Sequence, residues 1–141
     1  MDIKNKIIST EHFSFSEFIY SSTAEKYNIY NIPTDVKIIE NLNNTITRME
    51  DIRSRFGKPI YINSGYRCAE LNKLVGGKPN SQHLKGEAAD LRFDIDLLNF
   101  IIQFCHFDQL IIEKSKNSKW IHISFKIDKD KERNQVLNIT V

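Results

Sequence analysis

The sequence predicts an α+β fold, with helices gathered early, strands late, and one helix between strands. Three observations predict it. In "DVKIIENLNNTITRMEDIRSRFG" apolar residues recur at steps of three and four, the stripe of an amphipathic helix. "DQLIIE" and "KWIHISFKI" are alternating runs divided by the polar "KSKNS", the pattern of a β-hairpin. Upstream of that pair, "AADLRF" reads as a strand and "DIDLLNFIIQFC" as a helix.

The elements follow in order. "SFSEFIYSSTAEKY" opens with Ser14 and Glu17 at capping-box spacing, which predicts a short helix. Pro33 and Thr34 introduce the long helix, whose stripe is Val36, Ile39, Leu42, Ile46, Met49, Ile52 and Phe56, and Gly57 is placed to end it. "PIYIN" reads as a short strand and "CAELNKLVGG" as a short helix stopped by Gly76 and Gly77. The helix after "AADLRF" is entered from Asp94 or Asp96. "KIDKDKERN" alternates in charge and reads as a solvated face or turn, and the closing "NQVLNITV" as an edge strand or a frayed tail.

The 141 residues predict one domain, residues 1–141, around one core. With 20 basic and 18 acidic residues the formal net charge is +2, which gives no electrostatic case for nucleic acid. Cys68 and Cys105 fit no CxxC spacing and read as reduced, partly buried thiols of a reducing compartment. "MDIKNKIISTEHF" lacks the apolar core of a signal peptide, and no run reaches the ~18–20 apolar residues of a membrane span. The expectation is a soluble monomer made in the cytoplasm.

Strand alternation sorts the polar residues, because residues two apart share a face. Ala88 and Asp90 face one way, while Ala89, Leu91 and Phe93 face the core. Trp120, His122 and Ser124 share a face opposite Ile121, Ile123 and Phe125, and Glu113 lies on the face of Ile111 and Gln109. A hairpin closing with Glu113 opposite Trp120 sets His122 opposite Ile111 and makes Glu113 its diagonal neighbour, roughly 7–8 Å away between Cα atoms. Two side chains across that gap can meet at one water. With His83 from "SQHLKG", the candidate metal ligands are His83, Asp90 and His122. Two imidazoles and a carboxylate suit Zn²⁺, and Glu113 is then the candidate base for the water. Each residue also has a plainer reading: His83 a loop histidine, His122 a satisfied sheet histidine, Glu113 a strand-end carboxylate, Asp90 the partner of a lysine. His12 and His106 belong to no pattern. Cys105 and His106, adjacent in the predicted helix, point about 100° apart and cannot pair as nucleophile and base.

"SGYRCAELNKLVGG", "SQHLKGEAAD" and "WIHIS" together resemble the zinc D-alanyl-D-alanine carboxypeptidases and related peptidoglycan endopeptidases, which share a fold with D-Ala-D-Ala dipeptidases and the Hedgehog signalling domain. Their pattern Ser-x-His-x-x-Gly-x-Ala-x-Asp, then Trp-x-His, is filled by Ser81, His83, Gly86, Ala88, Asp90, Trp120 and His122. "HFSFSEFIYSSTAEKYNIYNIP" looks like the start of phage and prophage members, so the likeness spans roughly residues 12–126. It implies zinc held by His83, Asp90 and His122. It also implies that Arg67 stabilises the carbonyl oxygen as negative charge develops, where the sequence alone reads a surface arginine at a helix start. The substrate side falls to Ser81, Gln82 and Trp120, the last as a cleft wall or a packing residue. Some branches place the catalytic acid three residues before the last histidine, where this chain has Lys119, so the base is assigned to Glu113.

The leading expectation is a zinc peptidase cleaving peptidoglycan stem peptides or crosslinks, reaching the wall by a phage lysis or virion route. The other is a non-catalytic wall-binding or phage structural module that keeps the zinc site.

Overall fold

The computed structural model describes residues 6–141. Residues 1–5, the head of the segment read for a signal peptide, lie outside the described residues. The α+β expectation holds. Five strands form one mixed, mainly antiparallel sheet: β1 Ile62–Ser64, β2 Ala88–Arg92, β3 Gln109–Lys114, β4 Lys119–Ser124 and β5 Gln135–Thr140, in the order β1-β2-β4-β3-β5. Four helices accompany it: α1 Ser22–Lys26, α2 Val36–Phe56, α3 Ala69–Leu74 and α4 Ile95–Phe104.

Helix α2 forms where its stripe predicts and is fixed at both ends. Asp35 caps it by accepting from the Lys37 and Ile38 N–H groups at 2.9 and 3.1 Å, and Gly57 closes it in the left-handed conformation at φ 77°. Ile39, Leu42, Ile46, Met49 and Ile52 are buried against the sheet, and Thr45 joins them. Val36, counted in the stripe, is 60% exposed, because the helix begins beyond the edge of what it covers. α4 packs its buried Leu97, Leu98 and Ile101 into the same core. There they meet Ala89, Leu91, Leu110, Ile121 and Ile123 from one face of the sheet. Truncating one such fully buried leucine costs about 2–5 kcal/mol, so this layer anchors the sheet whose other face carries the polar residues.

Two boundaries differ from the sequence reading, and two readings it left open are settled. The first helix is two pieces, a 3-10 turn Phe15–Phe18 and α1, because the Ser21 hydroxyl caps a new start by accepting from the Ala24 N–H at 3.1 Å. The Glu17 carboxylate accepts from the Ser14 N–H at 2.8 Å, as the capping box predicts. β1 lies later than "PIYIN" because its register with β2 shifts between Ile62 and Ser64. Asp94 caps α4, accepting from the Asp96 and Leu97 N–H groups at 2.9 and 3.3 Å. The C-terminal run is an edge strand, and it pairs with β3 in parallel.

Two charge readings are corrected. "KIDKDKERN" does form an exposed turn at Lys129–Lys131, but its end is not solvated: the Glu132 side chain is 1% exposed and pairs with Arg48 at 2.8 Å, and Arg133 pairs with Asp108 at 2.7 Å. The chain must cross from the end of β4 to run parallel to β3, and that crossing carries part of its charge inward. His12 is also partnered, with Nδ1 2.6 Å from Glu50 Oε2. Both thiols are free and partly buried, as expected. Among the described residues no helix is long and apolar enough to cross a membrane.

Candidate metal centre

Adjacent strands bring the polar residues together. Asp90 on β2 is paired directly with His122 on β4, and Glu113 on β3 is paired with Trp120, so His122 lies opposite Ile111. This is the register that symmetric closure of the hairpin predicts. His83 arrives from a 3-10 turn, Gln82–Lys85, capped by Ser81, whose hydroxyl accepts from the His83 N–H at 3.2 Å. Gly86 ends that turn at φ 74°, and a Cβ there would lie 2.8 Å from the Ile38 carbonyl oxygen of α2. Only glycine satisfies both demands. Helix α2 then holds the turn: Thr45 donates to the Gly86 carbonyl at 2.8 Å and Asn41 to that of Lys85 at 3.0 Å.

The three side chains converge. His83 Nε2 and His122 Nδ1 lie 3.1 and 3.0 Å from the same oxygen, Asp90 Oδ1. The two imidazole rings meet edge-on, centroids 5.1 Å apart. One donor atom from each residue falls within 4.8 Å of the others, a grouping that could hold a metal ion. His83 Nδ1 is 2.7 Å from the Gly65 carbonyl oxygen, which can only accept. That bond puts the His83 proton on Nδ1 and turns the Nε2 lone pair toward Asp90. Nε2 is buried and has no hydrogen-bond partner, since the nearby Asp90 oxygen lies off hydrogen-bonding geometry. An orphaned nitrogen aimed at a carboxylate is what a metal ligand looks like without its cation. Burial pushes the Asp90 carboxyl up, but the His83 and His122 imidazoles packed against it outweigh this and hold it well below the usual range. An ionised carboxylate and two nitrogen donors suit Zn²⁺, whose catalytic sites take three protein ligands. Tetrahedral zinc donors at about 2.0–2.2 Å from the metal stand roughly 3.3–3.5 Å apart, close to the spacings seen here.

The group lies in a cleft of ≈ 670 Å³ lined also by Arg67, Glu113 and Trp120. Among the described residues the Glu113 side chain makes no hydrogen bond or ion pair, so its carboxylate is uncommitted. Burial pulls the Arg67 guanidinium below its ordinary value, while the charges of Asp90 and Glu113 pull it back up. An arginine held this way stays charged. Arg67 Nε and Trp120 Nε1 are buried without partners. Unsatisfied donors in a cleft are available to a ligand. Lys119, three residues before His122, points to the opposite face, with its ammonium 4.0 Å from the Phe93 ring centroid.

Gln82 and Ser81 line the cleft, yet both are engaged within the chain. The Gln82 amide meets His122 Nε2 at 2.8 Å and Asp108 at 3.3 Å. Sequence reasoning missed Asp108, which is fully buried; its one signal was a lone acid between Phe107 and an apolar strand. It also missed Ile139 and Val141, which line the cleft beside Glu113, because β5 can reach there only by parallel pairing. Glu87 and Lys126, 3.2 Å apart on the cleft wall, carried no sequence signal.

Comparison with known proteins agrees with this geometry. A 48-residue stretch is 44% identical to the zinc D-Ala-D-Ala carboxypeptidase of Streptomyces albus G, covering 33% of this chain and 19% of that protein. The chain therefore spans about a fifth of that relative's length. The family model for peptidase M15 matches residues 11–124, a span that contains every side chain of the centre. On that match the chain belongs to the peptidase M15 family.

Proposed function

We propose that this chain is a zinc metallopeptidase that cleaves peptide bonds in peptidoglycan stem peptides or their crosslinks. The observation that carries the reading is the convergence of His83 Nε2, His122 Nδ1 and Asp90 Oδ1 on one point, with the free Glu113 carboxylate diagonal to His122 on the same face. Membership of a peptidase family and the likeness to a zinc D-Ala-D-Ala carboxypeptidase support the substrate class.

His83, Asp90 and His122 hold the ion. Bound zinc supplies a Lewis acid that polarises the scissile carbonyl and brings the pKa of a water down toward about 7. Glu113 removes the proton of the attacking water and returns it to the leaving amine. Arg67 directs fixed, charged donors at the carbonyl oxygen as negative charge grows on it. Trp120 walls the cleft and offers its unpaired indole N–H to the peptide backbone. Ser81 acts on the substrate side while its hydroxyl keeps the His83 turn in shape.

The test is digestion of purified peptidoglycan by the zinc-loaded protein, followed by mass analysis of the muropeptides. Cleaved stem peptides or crosslinks that vanish with a chelator and return with added zinc support the proposal. A protein that binds zinc and leaves the muropeptides unchanged would instead be a wall-binding module. His122→Ala should abolish zinc retention.

A further inference from the structure

A chain of hydrogen bonds runs from His122 through Gln82 and Asp108 to Arg133, along the cleft that all but Asp108 line. His122 Nε2 lies 2.8 Å from Gln82 Oε1, and Gln82 Nε2 donates to Asp108 Oδ2 at 3.3 Å. Asp108 is gripped in turn by Arg133, whose Nη2 donates to Oδ2 at 2.7 Å, Nε to Oδ1 at 2.9 Å and backbone N–H to Oδ1 at 3.2 Å. The Asp108 side chain is fully buried, and its partner is a permanently charged guanidinium. The carboxylate therefore accepts and does not donate.

This settles the direction of every bond in the chain. Facing an acceptor, the Gln82 amide must present its NH₂ to Asp108 and its oxygen to His122. Facing that oxygen, His122 must carry its proton on Nε2. In the neutral ring the Nδ1 lone pair is then left pointing at Asp90, 3.0 Å away. Reversing the amide would set two oxygens against each other at Asp108 and move the His122 proton onto Nδ1, where it would block coordination. His83 needs no such device, because the Gly65 carbonyl fixes its proton directly.

We propose that Gln82, oriented by Asp108 and Arg133, is a positioning residue that holds His122 in the one tautomer able to coordinate a metal through Nδ1. The inference rests on the metal reading above. It gives the crossing segment between β4 and β5 a task, since Arg133 lies on it and secures the far end of the chain. Hydrogen bonds behind metal-ligating histidines typically alter affinity about 10–100-fold when removed.

The experiment compares the full-length wild-type chain with Gln82→Met, which keeps side-chain length and removes both hydrogen bonds, and with Gln82→Ala. Long-range ¹H–¹⁵N spectra of the imidazoles report the His122 tautomer in zinc-free protein. Competition with a chromophoric chelator reports affinity for zinc alone. Wild-type His122 should be the Nε2–H form. Both variants should populate Nδ1–H and bind zinc about 10–100-fold more weakly, with unchanged His83 signals and near wild-type thermal unfolding. His122 remaining fully Nε2–H in both variants, with zinc affinity within about twofold of wild type, overturns the proposal. If the wild-type chain fails to bind zinc, the metal reading falls, while the tautomer spectra still decide whether Gln82 orients His122.

Discussion

Lys119 stacks its ammonium 4.0 Å from the centre of the Phe93 ring, on the face of the sheet away from His122. Strand alternation thus turns position 119 out of the cleft. Glu113, paired with Trp120, is the carboxylate on the correct face. Glu113→Gln should keep bound zinc and lower turnover on stem-peptide substrates about 10²–10⁴-fold, the usual range for loss of a general base. Lys119→Ala should leave turnover unchanged and cost about 0.5–1 kcal/mol of stability through the lost cation–π contact. Zinc content by mass spectrometry beside steady-state rates checks both. Full activity in Glu113→Gln would remove it from the mechanism.

Gly86 carries two constraints at once, a left-handed φ of 74° and a Cβ direction that meets the Ile38 carbonyl oxygen at 2.8 Å. Gly86→Ala should therefore destabilise the protein by about 2–4 kcal/mol, combining backbone strain with a close contact that neither neighbour can relieve. It should also weaken zinc binding, since the turn that ends at Gly86 carries His83. Urea denaturation of the zinc-free protein separates the stability loss from the metal loss.

The pair between Arg48 and the almost fully buried Glu132 ties α2 to the crossing segment before β5, and Glu132 also accepts from the Lys126 N–H at 2.9 Å. Removing one partner of a buried pair costs more than the pair contributes, because a charge is left without compensation. Arg48→Met should destabilise by about 3–5 kcal/mol. Arg48→Met combined with Glu132→Gln should recover part of that. A double-mutant cycle by chemical denaturation is the measurement, and an Arg48→Met protein as stable as wild type would contradict the burial argument.

Glu50 should govern part of the acid sensitivity. Burial pushes its carboxyl up, but hydrogen bonds from the His12 side chain and backbone, Thr10 and Ser54 outweigh this and hold it at about 2, below its ordinary 4.5. A carboxyl depressed on folding stabilises the fold above its unfolded value, and that contribution is lost as pH falls through the folded one. The difference in Tm between wild type and Glu50→Gln should be full near pH 5 and close as pH falls from about 4.5 toward about 2. Melting curves across that interval test it, and a constant difference would show that Glu50 acts through packing alone.

The sequence by itself determined the parts of this protein that repeat or alternate. The stripe from Ile39 to Ile52 specified α2, and the period of two in "WIHISF" put His122 and Ile121 on opposite faces before any partner was known. The polar "KSKNS" set the hairpin register that makes Glu113 diagonal to His122. The spacing of His83 and Asp90 alone did not decide for a metal; the likeness of "SQHLKGEAAD" and "WIHIS" to a known pattern marked His83, Asp90 and His122 as ligands. Only the tertiary structure decided what those residues lean on. Gly65 is distant in sequence from His83 and acts through a backbone carbonyl, which has no side-chain signature. Asp108 and Arg133 meet through a crossing whose alternating charges look like surface, and the parallel pairing of β5 with β3 brings Ile139 beside Glu113. Local periodicity fixes which way a side chain points, because it follows from backbone geometry over a few residues. Which carbonyl or carboxylate waits at its tip depends on how distant segments close against one another, and that is set by packing over the whole core.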